Sequence, residues 1–204
     1  MIFKRFMGLV LAVAICLMSG CTPLSGQTMD ESLEGMRSAV AGRDYKMADR
    51  YARRVLSEEP GNKEAAALRS YLRYEDTMLV AAFWEGDREA LGYLAGMVHD
   101  INMSCPRFDT PVLVLAAAWE HADMVAILLH AGADPNHGTD KDGYTALMWA
   151  CKNFNDQLDM VRGLLDAGAV VQARSKYEET ALSIAQEYGN KQVAALLKEW
   201  GADE

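Results

Sequence analysis

Three glycines, Gly132, Gly168 and Gly201, stand 36 and 33 residues apart, each followed by an alanine and preceded by a leucine pair. The text around them recurs as well. Asp142 to Ala169 reads as a tight turn at Asp142-Gly143, a short apolar helix from Thr145, a break, an amphipathic helix from Leu158 and a Gly-Ala stop. Glu179 to Ala185 with Leu196-Leu197 and Gly201-Ala202 repeats it, as do Thr110-Pro111, Ala116-Ala117, Ile127 to Leu129 and Ala131 to Asp134. A weaker earlier copy holds Thr77, Ala81-Ala82, Gly86 and Asp100-Ile-Asn102. A fixed period of this length means stacked units, each one helical hairpin that cannot bury its apolar side alone.

These residues resemble the ankyrin repeat, whose pattern is a turn, T-P-L-H-x-A, two antiparallel helices and G-A-D. The resemblance covers about Thr77 to Ala202 and implies an all-α ankyrin-repeat solenoid, with repeats at about 76–105, 106–139, 140–175 and 176–204. Departures from the pattern are visible. Val80, Met148 and Ser183 replace the histidine of the motif, and Val98-His99 replaces the first stop. The second copy carries one extra residue in Pro111 to Leu115, and the third carries two around Phe154 to Gln157. The alanine and leucine pairs are the expected core: Ala81, Ala82, Leu94; Ala116, Ala117, Leu128, Leu129; Ala150, Leu164, Leu165; and Ala185, Leu196, Leu197. Trp200 and Ala202 close the array.

Residues 30–75 read as helices that precede the array. Gly42, Tyr45, Ala48, Ala52, Leu56 and Pro60 resemble one tetratricopeptide repeat. A single helical hairpin leaves its apolar face uncovered, so this segment is expected to cap the first repeat, or else to bind a peptide by itself.

Residues 1–20 read as a leader outside the fold: Lys4 and Arg5, an apolar run Leu9 to Met18 too short to span a bilayer stably, then Ser19-Gly20-Cys21. That order resembles the lipobox of a bacterial lipoprotein. The resemblance implies cleavage before Cys21 and lipidation of Cys21, with Thr22 at the next position pointing to the outer membrane and a periplasm-facing body. Residues 21–29 are small and polar and read as a tether. An ordinary secretory signal or a plain anchor helix is the alternative.

Removing the leader takes away two basic residues and leaves 18 against 29 acidic ones, a net −11. Such a surface repels phosphates, which argues against nucleic acid, and steers a basic protein partner toward it. Cys105 and Cys151 fall one repeat apart, too far for a disulfide, and read as free, buried thiols. The four histidines form no metal or catalytic pair, and no phosphate loop or nucleophile elbow occurs. No enzyme activity, cofactor, metal or small-molecule substrate is expected.

Ankyrin repeats bind proteins, and an aromatic residue recurs near the end of each first helix: Trp84, Trp119, Phe154 and Tyr188, at intervals of 35, 35 and 34. In ankyrin-like stacks this place faces the concave groove, so the four are expected to form a ladder beside Glu85 and Glu120. The finger loops offer Arg107, Phe108, His137 and Tyr177 as a second contact surface. The expected function is a membrane-anchored, periplasmic protein-binding module. It resembles immunity proteins that neutralise a toxin such as a secreted phospholipase; a structural or stress-related envelope role is the other alternative.

Overall fold

The computed structural model describes residues 28–152 and 158–203. Eleven α-helices account for most of them: α1 (Met29–Ala41), α2 (Tyr45–Glu58), α3 (Lys63–Tyr71), α4 (Met78–Glu85), α5 (Arg88–Ala95), α6 (Val112–Ala118), α7 (Ala122–His130), α8 (Ala146–Lys152), α9 (Leu158–Asp166), α10 (Ala181–Glu187) and α11 (Lys191–Glu199). A 3-10 turn, Leu72–Thr77, links α3 to α4, and two short strands, β1 (Ser104–Cys105) and β2 (Thr110–Pro111), pair antiparallel.

Several helices begin where a short polar side chain receives one of the first free amides. The Glu31 amide donates to Thr28 Oγ1 at 3.2 Å and the Thr28 amide donates back to Glu31 at 2.8 Å, a capping box at the start of α1. Asp44, Asn62, Asp87 and Asn190 cap α2, α3, α5 and α11 in the simpler way. Helices α1 and α2 press together at Gly35, where an added Cβ would lie 2.5 Å from the Tyr51 ring. With Tyr51 on the same face of α2, Ala48, Ala52 and Val55 are fully buried at helical spacing.

The units then stack in two rows. First helices α4, α6, α8 and α10 pack in succession, and second helices α5, α7, α9 and α11 form the parallel row. Helix α3 packs on α5 as α5 packs on α7, so the segment before the array supplies one further layer. Bidentate Arg37–Glu64 bonds at 2.6 and 2.8 Å tie α1 to α3, and Lys63–Glu89 at 2.7 Å ties α3 to α5. Both pairs are exposed and contribute little energy, but they record the docking.

The core follows the repeat. Ala82, Ala116, Ala150 and Ala185 have no exposed surface, and each lies five residues after the residue preceding its helix, Thr77, Pro111, Thr145 or Thr180. Leu94, Leu128, Leu164 and Leu197 are equally buried, each contributing roughly 1.5–3 kcal/mol by area removed from water. Ala81 and Leu129 are only half-buried, contrary to expectation, because Ala81 looks into a groove and Leu129 lies at the edge of α7. The Gly-Ala stop has a local cause. Gly132, Gly168 and Gly201 adopt φ 93, 92 and 87, and the next alanine amide donates to Leu128, Leu164 and Leu197 at 3.0 Å each.

The extra residue expected in the second copy is absent. Thr110 belongs to β2 and pairs with Cys105, so Pro111 occupies the place of Thr145 and Thr180. The insertion in the third copy lies between α8 and α9, whose starts are 12 residues apart where the other pairs are 10 apart. Cys105 and Cys151 are both buried and free. Burial pushes the Cys151 thiol up to about 12, which keeps it protonated and inert at neutral pH.

Candidate functional site: an aromatic groove at the junction of cap and array

Helix α4 carries two neighbouring rings that meet edge to face, with centroids 5.1 Å apart. Phe83 is buried, while Trp84 is 40% exposed on the row of first helices. Helix α6 ends at Trp119, 54% exposed, and the two indoles meet edge to face with centroids 5.1 Å apart. Phe108, at the tip of the β1–β2 finger and 46% exposed, lies 5.8 Å from Trp84. The Arg107 guanidinium sits over the Phe108 ring at 5.3 Å. Three large rings thus form one exposed cluster, held by two helices and a hairpin. Aromatic anchors of this kind dominate interface energetics.

Beside the cluster runs a groove of about 370 Å³, lined by Tyr74, Val80, Ala81, Trp84, Pro106 and Arg107, with Cys105 in its wall. Tyr74 comes from the 3-10 turn, so one side of the groove belongs to the segment before the repeats. Glu85 fixes that side. Tyr71 donates to it at 3.0 Å and Tyr74 at 3.4 Å, and Arg73 approaches to 3.8 Å. Tyr71 also donates to Asp87 at 3.2 Å. Burial, then these carboxylates, pushes the Tyr71 hydroxyl well above the ordinary phenol range. Glu85 is therefore a strut between cap and array.

The aromatic row keeps a 35-residue interval in sequence but not one structural position. Counted from the residue preceding each helix, Trp84 is seventh, while Trp119 and Tyr188 are eighth. Helix α4 runs one residue longer than α6 or α10 before its turn. The residue that makes the turn is ninth in three repeats: Gly86 at φ 71, Gly189 at φ 72, and Glu120 at φ 61. Phe154 lies outside the described residues.

The later repeats use their aromatic groups internally. Tyr144 donates to Glu179, and burial followed by that bond pushes its hydroxyl well up. Tyr177, 64% exposed, donates to Asp142 at 2.9 Å, so it braces one finger against the next. The Lys152 ammonium lies 4.2 Å over Tyr144 and 5.0 Å over Trp149. His137 sits exposed at a finger tip, its amide donating to Asp134 at 3.2 Å. Tyr188 is exposed at the end of α10. The structure therefore gathers Trp84, Trp119, Phe108, Arg107 and Glu85 in one place, with Glu120 next to Trp119 in the chain. Tyr177, His137 and Tyr188 belong to the other half of the stack.

Two features escaped the sequence reading. Tyr74 walls the groove, and the 3-10 turn places it there. The second is a polar bridge between neighbouring repeats. Asn102 accepts from the Asp134 amide at 2.8 Å; Asn136 donates to Gly168 O at 3.1 Å and accepts from the Val170 amide at 2.7 Å. Its signal was present as Asp100-Ile-Asn102 and Asp134-Pro-Asn136, whose aspartates each receive the asparagine amide at 2.9 Å.

Stacked two-helix units with finger hairpins and an exposed aromatic groove define a repeat protein of the binding kind. The ankyrin-repeat family model matches in three copies, over residues 77–175 and 113–204, and the chain belongs to that family. Two relatives show the same likeness. One is the ankyrin repeat and KH domain-containing protein mask-1 of Caenorhabditis elegans, 41% identical over 92 residues, which is 45% of this chain and 3% of that protein. The other is the E3 ubiquitin-protein ligase KEG of Arabidopsis thaliana, 37% identical over 84 residues, 41% of this chain and 5% of that protein. The likeness thus spans only a small part of either relative. Ankyrin repeats are in general protein–protein interaction modules. Among the described residues, no group of three His, Cys, Asp or Glu side chains could hold a metal ion, and no helix is long and apolar enough to cross a membrane.

Proposed function

We propose that this protein is a membrane-tethered binding module that holds a protein partner against the groove between cap and first repeats. The observation that carries the reading is the contact of Trp84, Trp119 and Phe108, three large rings that remain 40–54% exposed. A rigid scaffold presents them, so little conformational freedom is lost when a partner docks. The tether reading rests on the leader and on Cys21, lipidated and facing the periplasm, at the outer membrane given Thr22.

Photo-crosslinking in living cells from position 119, with mass spectrometry of the captured species, tests the groove. One dominant partner whose capture is lost in Trp84→Ala supports it. Capture that survives Trp84→Ala together with Phe108→Ala, in a folded protein, refutes it. The anchor has its own test: Cys21→Ser should move the protein from the membrane fraction to the soluble one.

A narrower reading, immunity against a toxin such as a secreted phospholipase, is favoured by charge. Residues 77–204 hold 19 acidic and 9 basic side chains, a net −10, whereas residues 28–76 hold 10 and 9, a net −1. A basic toxin face would be drawn to the array. Deletion strains that resist sister-cell attack as well as the parent does would exclude it.

A further inference from the structure

The groove is not a ladder along the whole stack. It is a pocket at the junction where the 3-10 turn meets α4, and Tyr74 stands in its wall. It exists only while the cap is docked, because Glu85 links Tyr71 and Tyr74 to α4. Its volume of about 370 Å³ lies at the low end of the ~300–1,000 Å³ clefts that take small groups. Its lining is mainly apolar, Val80, Ala81, Trp84 and Pro106 with Tyr74, and Thr77, Glu85 and Arg107 are its polar members. That suits one bulky apolar side chain, not a folded surface.

Charge then distinguishes the two ends. Arg107 belongs to the finger wall and is a cation, so that end disfavours another. Trp119, outside the lining of the pocket, presents an exposed indole, the aromatic face that best receives a cation. The next residue is Glu120, exposed, and held at φ 61 where the counterparts in two other repeats are Gly86 and Gly189. A left-handed glutamate costs energy that glycine avoids, a cost that Arg43, Asp109 and Glu178 also carry elsewhere in the chain. The array as a whole carries the −10 already noted.

We infer that the junction pocket is the anchor site for a linear, basic segment of a protein partner. One bulky apolar side chain enters between Tyr74, Trp84 and Pro106, and a lysine or arginine within two positions of it lies on the Trp119 ring beside Glu120. The inference rests on the binding-module reading and adds the chemistry of what is bound.

The test is selection of a displayed random linear peptide library on the full-length chain, followed by affinity measurement on the enriched peptides. The expected peptides share a bulky apolar residue with a nearby lysine or arginine. Trp84→Ala weakens them by more than about tenfold, the scale of losing an interface anchor. Glu120→Lys and Trp119→Ala remove the preference for the basic residue, with circular dichroism showing an intact fold. Enriched peptides with neutral or acidic flanks overturn the inference while leaving groove binding in place. Peptides that ignore Trp84→Ala and Trp119→Ala but are lost in Tyr177→Ala overturn the location as well. No enrichment on a folded protein overturns the linear segment, whereas the crosslinking result judges the binding module independently.

Discussion

At the scale of single residues, Glu120 concentrates the conflict between fold and site. A left-handed backbone costs a residue with a Cβ about 1–2 kcal/mol. Glu120→Gly should therefore raise the unfolding free energy by about 1 kcal/mol, read as a higher urea midpoint at unchanged slope, while weakening partner capture. The converse change at its counterpart, Gly189→Ala, should lower stability by a similar amount, since φ there is 72. A second residue-scale expectation concerns the buried phenols. Tyr71 and Tyr144 have hydroxyls raised above the usual phenol value of about 10, first by burial and then by Glu85 and Glu179. The folded state therefore holds these protons more tightly than the unfolded state does. Their contribution is complete below about pH 10 and disappears as pH rises beyond it. Thermal midpoints should fall above about pH 10, and less steeply in Tyr71→Phe with Tyr144→Phe; equal slopes in parent and variant would contradict the assignment.

At the scale of elements, the repeat was legible because its signals are local. A glycine at the left-handed stop, an alanine where first helices touch and a leucine facing the next second helix each have one physical cause repeated at a fixed interval. Position along the helix was less legible. Trp84 and Trp119 are 35 residues apart, yet α4 and α6 begin at Met78 and Val112, 34 apart, so a regular interval did not mean equal place. Thr110-Pro111 looked like the start of a motif, but Thr110 pairs with Cys105 across the finger, and strand pairing over that distance leaves no periodic mark. Tyr74 was missed because a 3-10 turn has neither the period of a helix nor that of a strand. The asparagine bridges supply the element-scale expectation. Asn136→Ala deletes one bond to Gly168 O and one from the Val170 amide, so it should destabilise by about 1–3 kcal/mol. Because those bonds join neighbouring units, urea unfolding should also broaden, with the last repeats melting first. A sharp single transition at the parental slope would show that the bridges do not couple the units.

At the scale of the whole molecule, each layer touches only its neighbours, and stability is close to a sum of layer and interface contributions. Hydrogen exchange should be slowest in α6 and α8, flanked on both sides, and faster in α1 and α11 at the ends. Uniform protection along the chain would contradict a layered stack. The same arrangement settles how a mechanical load would be shared. The groove sits against the cap, near the N-terminal end of the described chain, and the rows of α9, α10 and α11 lie on its far side. A partner gripped there and pulled against an N-terminal anchor would strain the contacts of α1 to α6 and leave the final two repeats slack. Those repeats would carry none of the load and would be free to unravel without releasing the cargo, and the weakest link would be the seam that Tyr71, Tyr74 and Glu85 hold shut.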